Sequence, residues 1–211
     1  FIKVNNQDFL IEDINIFIPS GSLISIISNP GEGKTKLFKI LGLKEKANKG
    51  DLFILGKNVN KLSRNELSKL HGEISMVGED DDLIYNLGVE ENIIFPLIVT
   101  NKGKDEIEIA VKELISWLRI STILNKNVSY LSNYEKKLVQ FARAIITRPR
   151  LLLLDNFFTG IDADYEKKIS YLLLALKKIG TTIISFRSKN NNSILNYDEN
   201  YEIQKKALVK I

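Results

Sequence analysis

The residues with the most recognisable chemistry lie in one short loop near the start of the chain. They are, in order, Ser28, Asn29, Pro30, Gly31, Glu32, Gly33, Lys34, Thr35 and Lys36. In a loop of the form G-x-x-x-x-G-K-[ST], backbone N–H groups wrap around phosphates, the lysine balances their charge and the hydroxyl binds magnesium. Ser28 replaces the first glycine of this form. We therefore predict a phosphate-binding loop with strain at its start, where the small Ser28 leaves the pocket open.

A second candidate is the acid that ends an apolar run. Leu151 to Leu154 are all leucine, which is typical of a buried parallel strand, and Asp155 follows directly. An acid at this position can hold magnesium through water. The pattern is common by itself, but downstream of a phosphate-binding loop it makes Thr35 and Asp155 candidate ligands of Mg²⁺.

The elements that must position these residues follow from periodicity. Residues 23–28 (LISIIS) read as a buried strand that runs into the loop, and apolar residues at helical spacing follow at 34–41. Strand, glycine loop and helix are the context that a phosphate-binding loop requires. Alternating strands and helices predict an α/β fold with a parallel sheet. The other predicted elements are strands at 151–154 and 182–186 and helices at 105–118, 132–146 and 165–178.

The middle of the chain has predicted helices without strands between them. We therefore expect a helical subdomain at about 79–146 and a core at about 1–78 and 147–211, which together form a single domain, 1–211. Trp117 flanks the apolar face of the helix at 105–118, and we expect it to pack there. Ser132 and Glu135 have the spacing of a capping box at the start of the next helix.

Composition excludes several classes of protein. No run approaches the roughly 18 consecutive apolar residues of a membrane helix, so we expect a soluble chain that reaches a membrane only through a partner. The chain has no cysteine and one histidine, His71, which excludes a zinc site and favours the cytosol. The net charge of +4 comes from scattered lysines and does not favour nucleic-acid binding. The first residue is Phe1, so we expect residues to be missing before it.

Three further segments match one family in order and spacing. Residues 131–137 (LSNYEKK) stand where that family has L-S-G-G-Q/E, residues 141–144 (FARA) are similar to I-A-R-A, and residues 151–162 (LLLLDNFFTGID) parallel L-L-L-L-D-E-P-T-S-A-L-D. The chain thus resembles the ABC ATPases over nearly its whole length. The resemblance implies a P-loop NTPase of ABC type, with a mostly parallel central sheet, an N-terminal antiparallel β part and a helical subdomain. It also implies that ATP and Mg²⁺ bind, and that the chain pairs as a homodimer or heterodimer in which Ser132 contacts nucleotide.

Within the family, residues 56–62 (GKNVNKL) and 92–97 (NIIFPL) look most like the FtsE cell-division subunits, and the LolD and MacB export ATPases have a similar pattern. The length fits FtsE or LolD better than MacB. This resemblance implies an integral membrane permease-like partner of the FtsX kind and a peripheral location at the cytoplasmic face of the inner membrane. The apolar residues of 83–89 and 95–99 are then expected to form a groove for a helix of that partner. They could equally form internal core.

Several family positions hold other residues here. Asn156 stands at the catalytic glutamate, and its amide cannot accept a proton from water. Ser188 stands at the switch histidine, where the neighbouring Arg187 is a candidate phosphate contact instead. Glu79 replaces the metal-sensing glutamine and can still bind magnesium.

The signature glycines are also replaced, by Asn133 and Tyr134. Glycine permits close backbone approach, so we expect Tyr134 to obstruct closure over the nucleotide of a second subunit. A simpler interpretation of 132–135 is a capped helix start, and a simpler interpretation of Asp162 is the N-cap of the next helix.

Three functions follow from these patterns. The favoured one is an FtsE-like ATP-binding subunit with weak or absent hydrolysis. The second is an active LolD-like exporter ATPase in which Glu79 or Asp162 compensates, and the third is a structural adaptor that keeps only the fold. A phosphate-loop kinase is disfavoured because an L-S-x-x-E helix precedes the apolar strand that ends in Asp155.

Overall fold

The computed structural model describes residues 2–4, 8–12, 14–78, 82–190 and 193–211. Its strands are β1 (Ile2–Val4), β2 (Asp8–Ile11), β3 (Leu23–Ser28), β4 (Phe53–Ile54), β5 (Lys57–Asn58), β6 (Ile74–Val77), β7 (Leu151–Asp155), β8 (Thr182–Ser188), β9 (Glu199–Gln204) and β10 (Ala207–Lys210). Its α-helices are α1 (Lys34–Leu41), α2 (Arg64–His71), α3 (Val89–Val99), α4 (Lys104–Leu118), α5 (Asn133–Ile145) and α6 (Ala163–Lys178).

A six-stranded sheet in the order β10-β9-β3-β8-β7-β6 forms the centre of the molecule. All neighbouring strands in it are parallel except β10, which pairs antiparallel with β9 at one edge. Residues of β7 are buried along the whole strand, which explains its uninterrupted leucines. Two small antiparallel pairs, β1-β2 and β4-β5, precede β6 in the chain. The mostly parallel α/β fold and the N-terminal antiparallel part are thus confirmed.

The helices bury two apolar clusters against the sheet. One cluster joins residues of α3, α4, α5 and α6 to β7 and β8. The other contains Leu37, Phe38 and Ile40 of α1 together with side chains of β3, β7, β8 and β9. Among the described residues of 79–146, α3, α4 and α5 follow one another without a strand. The division into a core and a helical subdomain at these bounds stays a prediction.

The predicted elements lie close to the observed ones. The strand at 23–28 and the helix at 34–41 have the predicted bounds, and the others differ by at most two residues at either end. The capping box of Ser132 and Glu135 is present. The prediction for Trp117 is wrong, because 57% of this residue is exposed. No helix in the described part of the chain has the length and apolar character needed to cross a lipid bilayer.

Candidate nucleotide-binding site

The loop between β3 and α1 has the backbone that its glycines permit. Gly31 and Gly33 have φ angles of 85° and 95°, in the left-handed region that favours glycine. Space is open beside Gly31, since no atom lies within 4 Å of a Cβ placed there. Ser28 is the last residue of β3, and its φ is not positive. The backbone strain expected at the start of the loop is therefore not present in the φ angle of Ser28. Its hydroxyl is instead buried without a hydrogen-bond partner among the described residues.

A cavity of about 430 Å³ lies at this loop. Most of its lining comes from the loop and the first turn of α1, and the rest comes from the ends of two neighbouring parallel strands. Ligands of open α/β sheets bind at this carboxyl edge of the strands. The lining residues are Asn29, Pro30, Gly31, Gly33, Lys34, Thr35, Lys36, Asn156 and Ser188.

Lys34 and Asp155 form a buried ion pair beside the cavity. Nζ of Lys34 lies 2.5 Å from Oδ1 of Asp155, and the two side chains are 11% and 3% exposed. Among the described residues, no group of three or more acidic or histidine side chains could hold a metal ion. Magnesium commonly takes one or two protein ligands and completes its shell with phosphate and water. The hydroxyl of Thr35 and the carboxylate of Asp155 therefore fit a phosphate-bound Mg²⁺.

Asn156 and Ser188 contact each other in the cavity lining. Oγ of Ser188 donates a hydrogen bond to Oδ1 of Asn156 at 3.3 Å. The backbone N–H of Asn156 donates to the carbonyl of Phe186 at 2.9 Å, and its φ of 46° lies in the left-handed region, which asparagine tolerates better than most residues. The strand ends thus bring two predicted positions together, as an amide and a hydroxyl.

Arg187 is not among the described residues that line this cavity. Glu79 lies within 79–81, outside the described residues. Nε of Arg187 donates to Oγ of Ser25 at 3.0 Å, and the guanidinium lies 4.8 Å from the centre of the Tyr197 ring. The suggested contact of Arg187 with phosphate is therefore contradicted, because its neighbour Ser188 and not Arg187 faces the cavity.

The start of α5 is a capped helix end. Oγ of Ser132 accepts a hydrogen bond from the N–H of Glu135 at 3.2 Å, and the N–H of Ser132 donates back to that carboxylate at 2.8 Å. Ser132 is exposed and is absent from the cavity lining of its own chain. Asp162 likewise caps α6, since its Oδ1 accepts from the N–H groups of Asp164 and Tyr165. The N-cap is therefore confirmed at both positions, and the contact of Ser132 with the nucleotide of a second subunit stays a prediction.

Tyr134 packs inside its own chain. Its ring meets the ring of Tyr165 edge to face with centroids 5.0 Å apart, and its hydroxyl is buried. Burial raises the pKa of this phenol above its usual range. These contacts hold the ring within its own chain, and the expected obstruction of closure over the nucleotide of a second subunit stays a prediction.

Comparison with known proteins decides the family. The model of the family described as ABC transporter matches residues 11–159. The chain belongs to this family. It is 33% identical over 168 residues to the methionine import ATP-binding protein MetN of Staphylococcus haemolyticus, a match that covers 80% of this chain and 49% of that protein. It is 31% identical over 181 residues to MetN of Francisella tularensis, covering 85% and 52%. The chain spans about half the length of these curated relatives.

Solved structures support the ABC cassette fold. The chain is similar to the ATP-binding cassette MJ0796 in a dimeric post-hydrolysis state bound to ADP and Pi, with a TM-score of 0.87 and 23% identity over 99% of this chain and 92% of that chain. A second dimeric structure of MJ0796, described as a bacterial ABC transporter cassette, gives a TM-score of 0.86 and 24% identity over 95% and 88%. The FtsE-like and LolD-like assignments stay predictions, since the relatives named above are import proteins.

Two contacts of this ABC cassette are not predicted by its motifs. The carboxylate of Glu32 accepts hydrogen bonds from the N–H and the side-chain amide of Asn29, at 2.7 and 3.0 Å. Nζ of Lys137 donates to the carbonyl of Thr159 at 2.6 Å, which joins α5 to the segment after β7. The sequence contains a signal for the first contact, because Asn29 and Glu32 have the three-residue spacing of a capping box. The second contact joins residues that are distant in sequence, and no sequence pattern indicates it.

Proposed function

We propose that this chain is the ATP-binding subunit of an ABC-type membrane complex and that it binds ATP with Mg²⁺ but hydrolyses it slowly or not at all. The observation that carries the proposal is the pairing of Asn156 and Ser188 in the cavity at the phosphate-binding loop. None of the described residues that line this cavity has a carboxylate or an imidazole. The described part of the cavity lining therefore offers donors for phosphate without a group suited to activate water.

The binding part of the proposal rests on the loop. The left-handed φ angles of Gly31 and Gly33 are typical of an anion-binding loop, whose backbone N–H groups would take the phosphates together with Lys34. A phosphate has to compete with Asp155 for Lys34, which favours weak affinity. We expect dissociation constants in the micromolar to millimolar range, roughly −8 to −4 kcal/mol. Thr35 and Asp155 would hold Mg²⁺, whose charge offsets that of the phosphates.

The catalytic part rests on what the two replaced positions can do. An amide at position 156 cannot take a proton from water, and the loss of a general base typically costs about 10²–10⁴-fold in rate. A hydroxyl at position 188 is a weaker stabiliser of developing charge than an imidazolium, and the loss of such a donor typically costs about 10²–10³-fold. The two effects need not add, because residues that act together are not independent.

Calorimetry with Mg-ATP tests binding, using the wild type, Lys34→Ala and the exposed-lysine control Lys46→Ala. We expect heat from the wild type and the control, and a large loss of affinity in Lys34→Ala.

Phosphate release by the same proteins tests hydrolysis, and we expect background rates in all three. If millimolar nucleotide gives no heat with any protein, the structural-adaptor function is favoured. Turnover of several per second that depends on Lys34 would favour the active-ATPase alternative, with Glu79 as a candidate base.

We further propose an integral membrane permease-like subunit as the partner, which would place the chain peripherally at the cytoplasmic face of the membrane. Part of the apolar segment predicted to face that partner is internal core, including Leu83 and Leu97. The exposed part is Tyr85, Phe95, Ile98 and Val99. The FtsE-like pattern favours an FtsX-like permease, whereas the methionine import relatives favour an importer permease.

Co-purification with each kind of permease, FtsX-like and importer, separates these partners. The test variants are Phe95→Asp and Val99→Asp, which change exposed positions of α3. Ile109→Asp on α4, 61% exposed, is the matched control. Loss of recovery in the test variants alone supports the assignment of this surface, and equal recovery of all proteins contradicts it.

A further inference from the structure

A groove between α4 and α6 lies apart from the proposed nucleotide site. Its volume is about 380 Å³, and Ser116, Trp117, Arg119, Lys168 and Tyr171 are among its lining residues. Among the described residues, none lines both this groove and the cavity at the phosphate-binding loop. A ligand in this groove would therefore not need to contact nucleotide.

Two aromatic side chains in the groove are not needed for the core. Trp117 is 57% exposed and Tyr171 is 64% exposed. The neighbouring residues Leu118 and Leu172 fill the interior from the same helices, at 5% and 8% exposure. Exposed tryptophan and tyrosine are the side chains most often found as anchors of protein interfaces, since they bury much area and lose little conformational entropy.

The same groove carries positive charge that the described part of this chain does not neutralise. Arg119 ends α4 and makes no ion pair among the described residues, and Lys168 lies over the ring of Tyr165 at 4.6 Å. Two acids of these helices have other partners: Glu113 pairs with Arg148 at 3.1 Å, and Glu166 accepts from the N–H of Ile194 at 3.2 Å. No acidic residue within the described ranges lines the groove. Its charge is therefore complementary to a negatively charged ligand.

From these observations we propose that the groove binds an acidic peptide segment of a partner protein, with an aromatic or aliphatic anchor between its carboxylates. The anchor packs against Trp117 and Tyr171, and the carboxylates pair with Arg119 and Lys168. A peptide suits the shape, because the groove runs along α6 from Lys168 to Ala175, about 10 Å at the rise of an α-helix. This inference is independent of whether ATP is bound or hydrolysed.

Fluorescence anisotropy tests the proposal with a short fluorescein-labelled peptide of alternating aspartate and phenylalanine. One control peptide has asparagine for aspartate, and the other has alanine for phenylalanine. The charge variant is Arg119→Asn with Lys168→Gln; asparagine is chosen because Arg119 has a left-handed φ of 53°. The aromatic variant is Trp117→Ser with Tyr171→Ser. The matched control, Lys46→Gln with Lys61→Gln, removes two exposed lysines that are not in the groove.

We expect the wild type and the lysine control to bind the acidic peptide equally and both control peptides more weakly. The charge variant should lose about tenfold in affinity, since each exposed ion pair contributes only a few-fold. The aromatic variant should lose about tenfold or more, and Mg-ATP should not displace the peptide. Equal binding by the wild type and both groove variants would overturn the proposal. So would displacement by Mg-ATP, or a Trp117-dependent self-association without peptide binding.

Discussion

The amide of Asn156 is held by both its backbone and its side chain. The N–H is fixed to Phe186, the side-chain oxygen accepts from Ser188, and the φ of 46° is one that few other residues adopt without cost. A substitution at this position therefore changes three things together: the group that faces the cavity, the contact with β8 and the strain of the backbone.

We predict that Asn156→Glu alone leaves phosphate release at background. The glutamate restores a carboxylate, but Ser188 still lacks an imidazole, and glutamate is less well suited than asparagine to this φ. Adding Ser188→His and Asn133→Gly should raise turnover above that of the single variant. Steady-state phosphate release measures both, with Lys34→Ala in each background as the control. Family-like turnover by Asn156→Glu alone would show that Ser188 and the signature residues are not limiting.

We predict opposite effects for two buried serines of β3. Oγ of Ser28 is buried without a hydrogen-bond partner among the described residues, so Ser28→Ala should raise the free energy of unfolding by about 1 kcal/mol. Oγ of Ser25 accepts from Arg187, so Ser25→Ala should lower it by about 1–3 kcal/mol. Urea denaturation measures both variants, which differ from the wild type by the same single oxygen. Destabilisation of equal size in both would mean that the hydroxyl of Ser28 has a partner in solution.

The sequence predicts which residues meet at the cavity better than it predicts where side chains point. The loop motif identifies Gly33 and Lys34, and the family resemblance identifies Asn156, because the local backbone of a loop and a strand end is set by nearby residues. The suggested phosphate contact of Arg187 is wrong, and the packing of the Tyr134 side chain is not predicted. The direction of each side chain is determined by a ring from another element, Tyr165 or Tyr197, and position in a motif contains no information about those contacts.

At the scale of elements, one asparagine organises the start of α3. Asn92 is fully buried, and its Oδ1 accepts from the N–H of Ile84 at 2.8 Å. Its Nδ2 donates to the carbonyls of Ile84 and Gly88 at 3.0 and 2.9 Å. A buried backbone group without a partner is costly, so this one side chain holds the segment 84–88 against the helix.

We predict that Asn92→Leu lowers the free energy of unfolding by about 1–3 kcal/mol, because the backbone groups of Ile84 lose their partners at similar side-chain volume. Urea denaturation measures the loss, and amide hydrogen exchange at Ile84 should become faster. Asn127→Ala is the control, since Asn127 caps an exposed turn and its loss should cost less. Equal effects of the two substitutions would show that water takes over the hydrogen bonds that Asn92 makes to the backbone.

Elements with a strong apolar pattern are predictable here, and polar ones are not. The run at 23–28 is predicted to the residue because β-branched side chains fill a strand buried on both faces. β9 is not predicted because its sequence, ENYEIQ, alternates weakly, and its charged residues are instead paired: Glu202 with Lys189 and Glu199 with Lys210. α3 lacks a clear helical pattern because apolar residues occur on all of its sides, and it also contains Pro96.

At the scale of the molecule, Glu73 joins the β4-β5 pair to the central sheet. Its carboxylate contacts Nη1 of Arg150 at 2.7 Å and Nζ of Lys57 at 3.0 Å. The hydrogen bond from Arg150, followed by that from Lys57, holds the pKa of Glu73 below its usual range. Since the folded pKa is lower than the unfolded one, the ionised carboxylate stabilises the fold above the unfolded pKa, and this contribution is lost as pH falls through the folded pKa.

We predict that Glu73→Gln lowers the free energy of unfolding near neutral pH by about 1 kcal/mol or less, as for other partly exposed ion pairs. The difference from the wild type should shrink as pH falls below about 4. Urea denaturation at neutral and acid pH measures this difference, and Glu90→Gln, at an exposed position of α3, is the control. A difference that persists unchanged in acid would mean that the Glu73→Gln variant is destabilised for a reason other than charge.

The position of β3 in the sheet has a consequence for biosynthesis. Leu23 lies opposite Ile183 on one side, and Ile24 lies opposite Glu199 on the other. The strand that carries the phosphate-binding loop is therefore translated early, whereas both of its neighbours are translated near the end of the described chain. Until then its backbone has no neighbouring strand to pair with, and nascent chains with unpaired strand edges are prone to aggregate and depend on chaperones. We expect ribosome-stalled chains that stop before β8 to retain no ATP, and chains that include β9 to retain it.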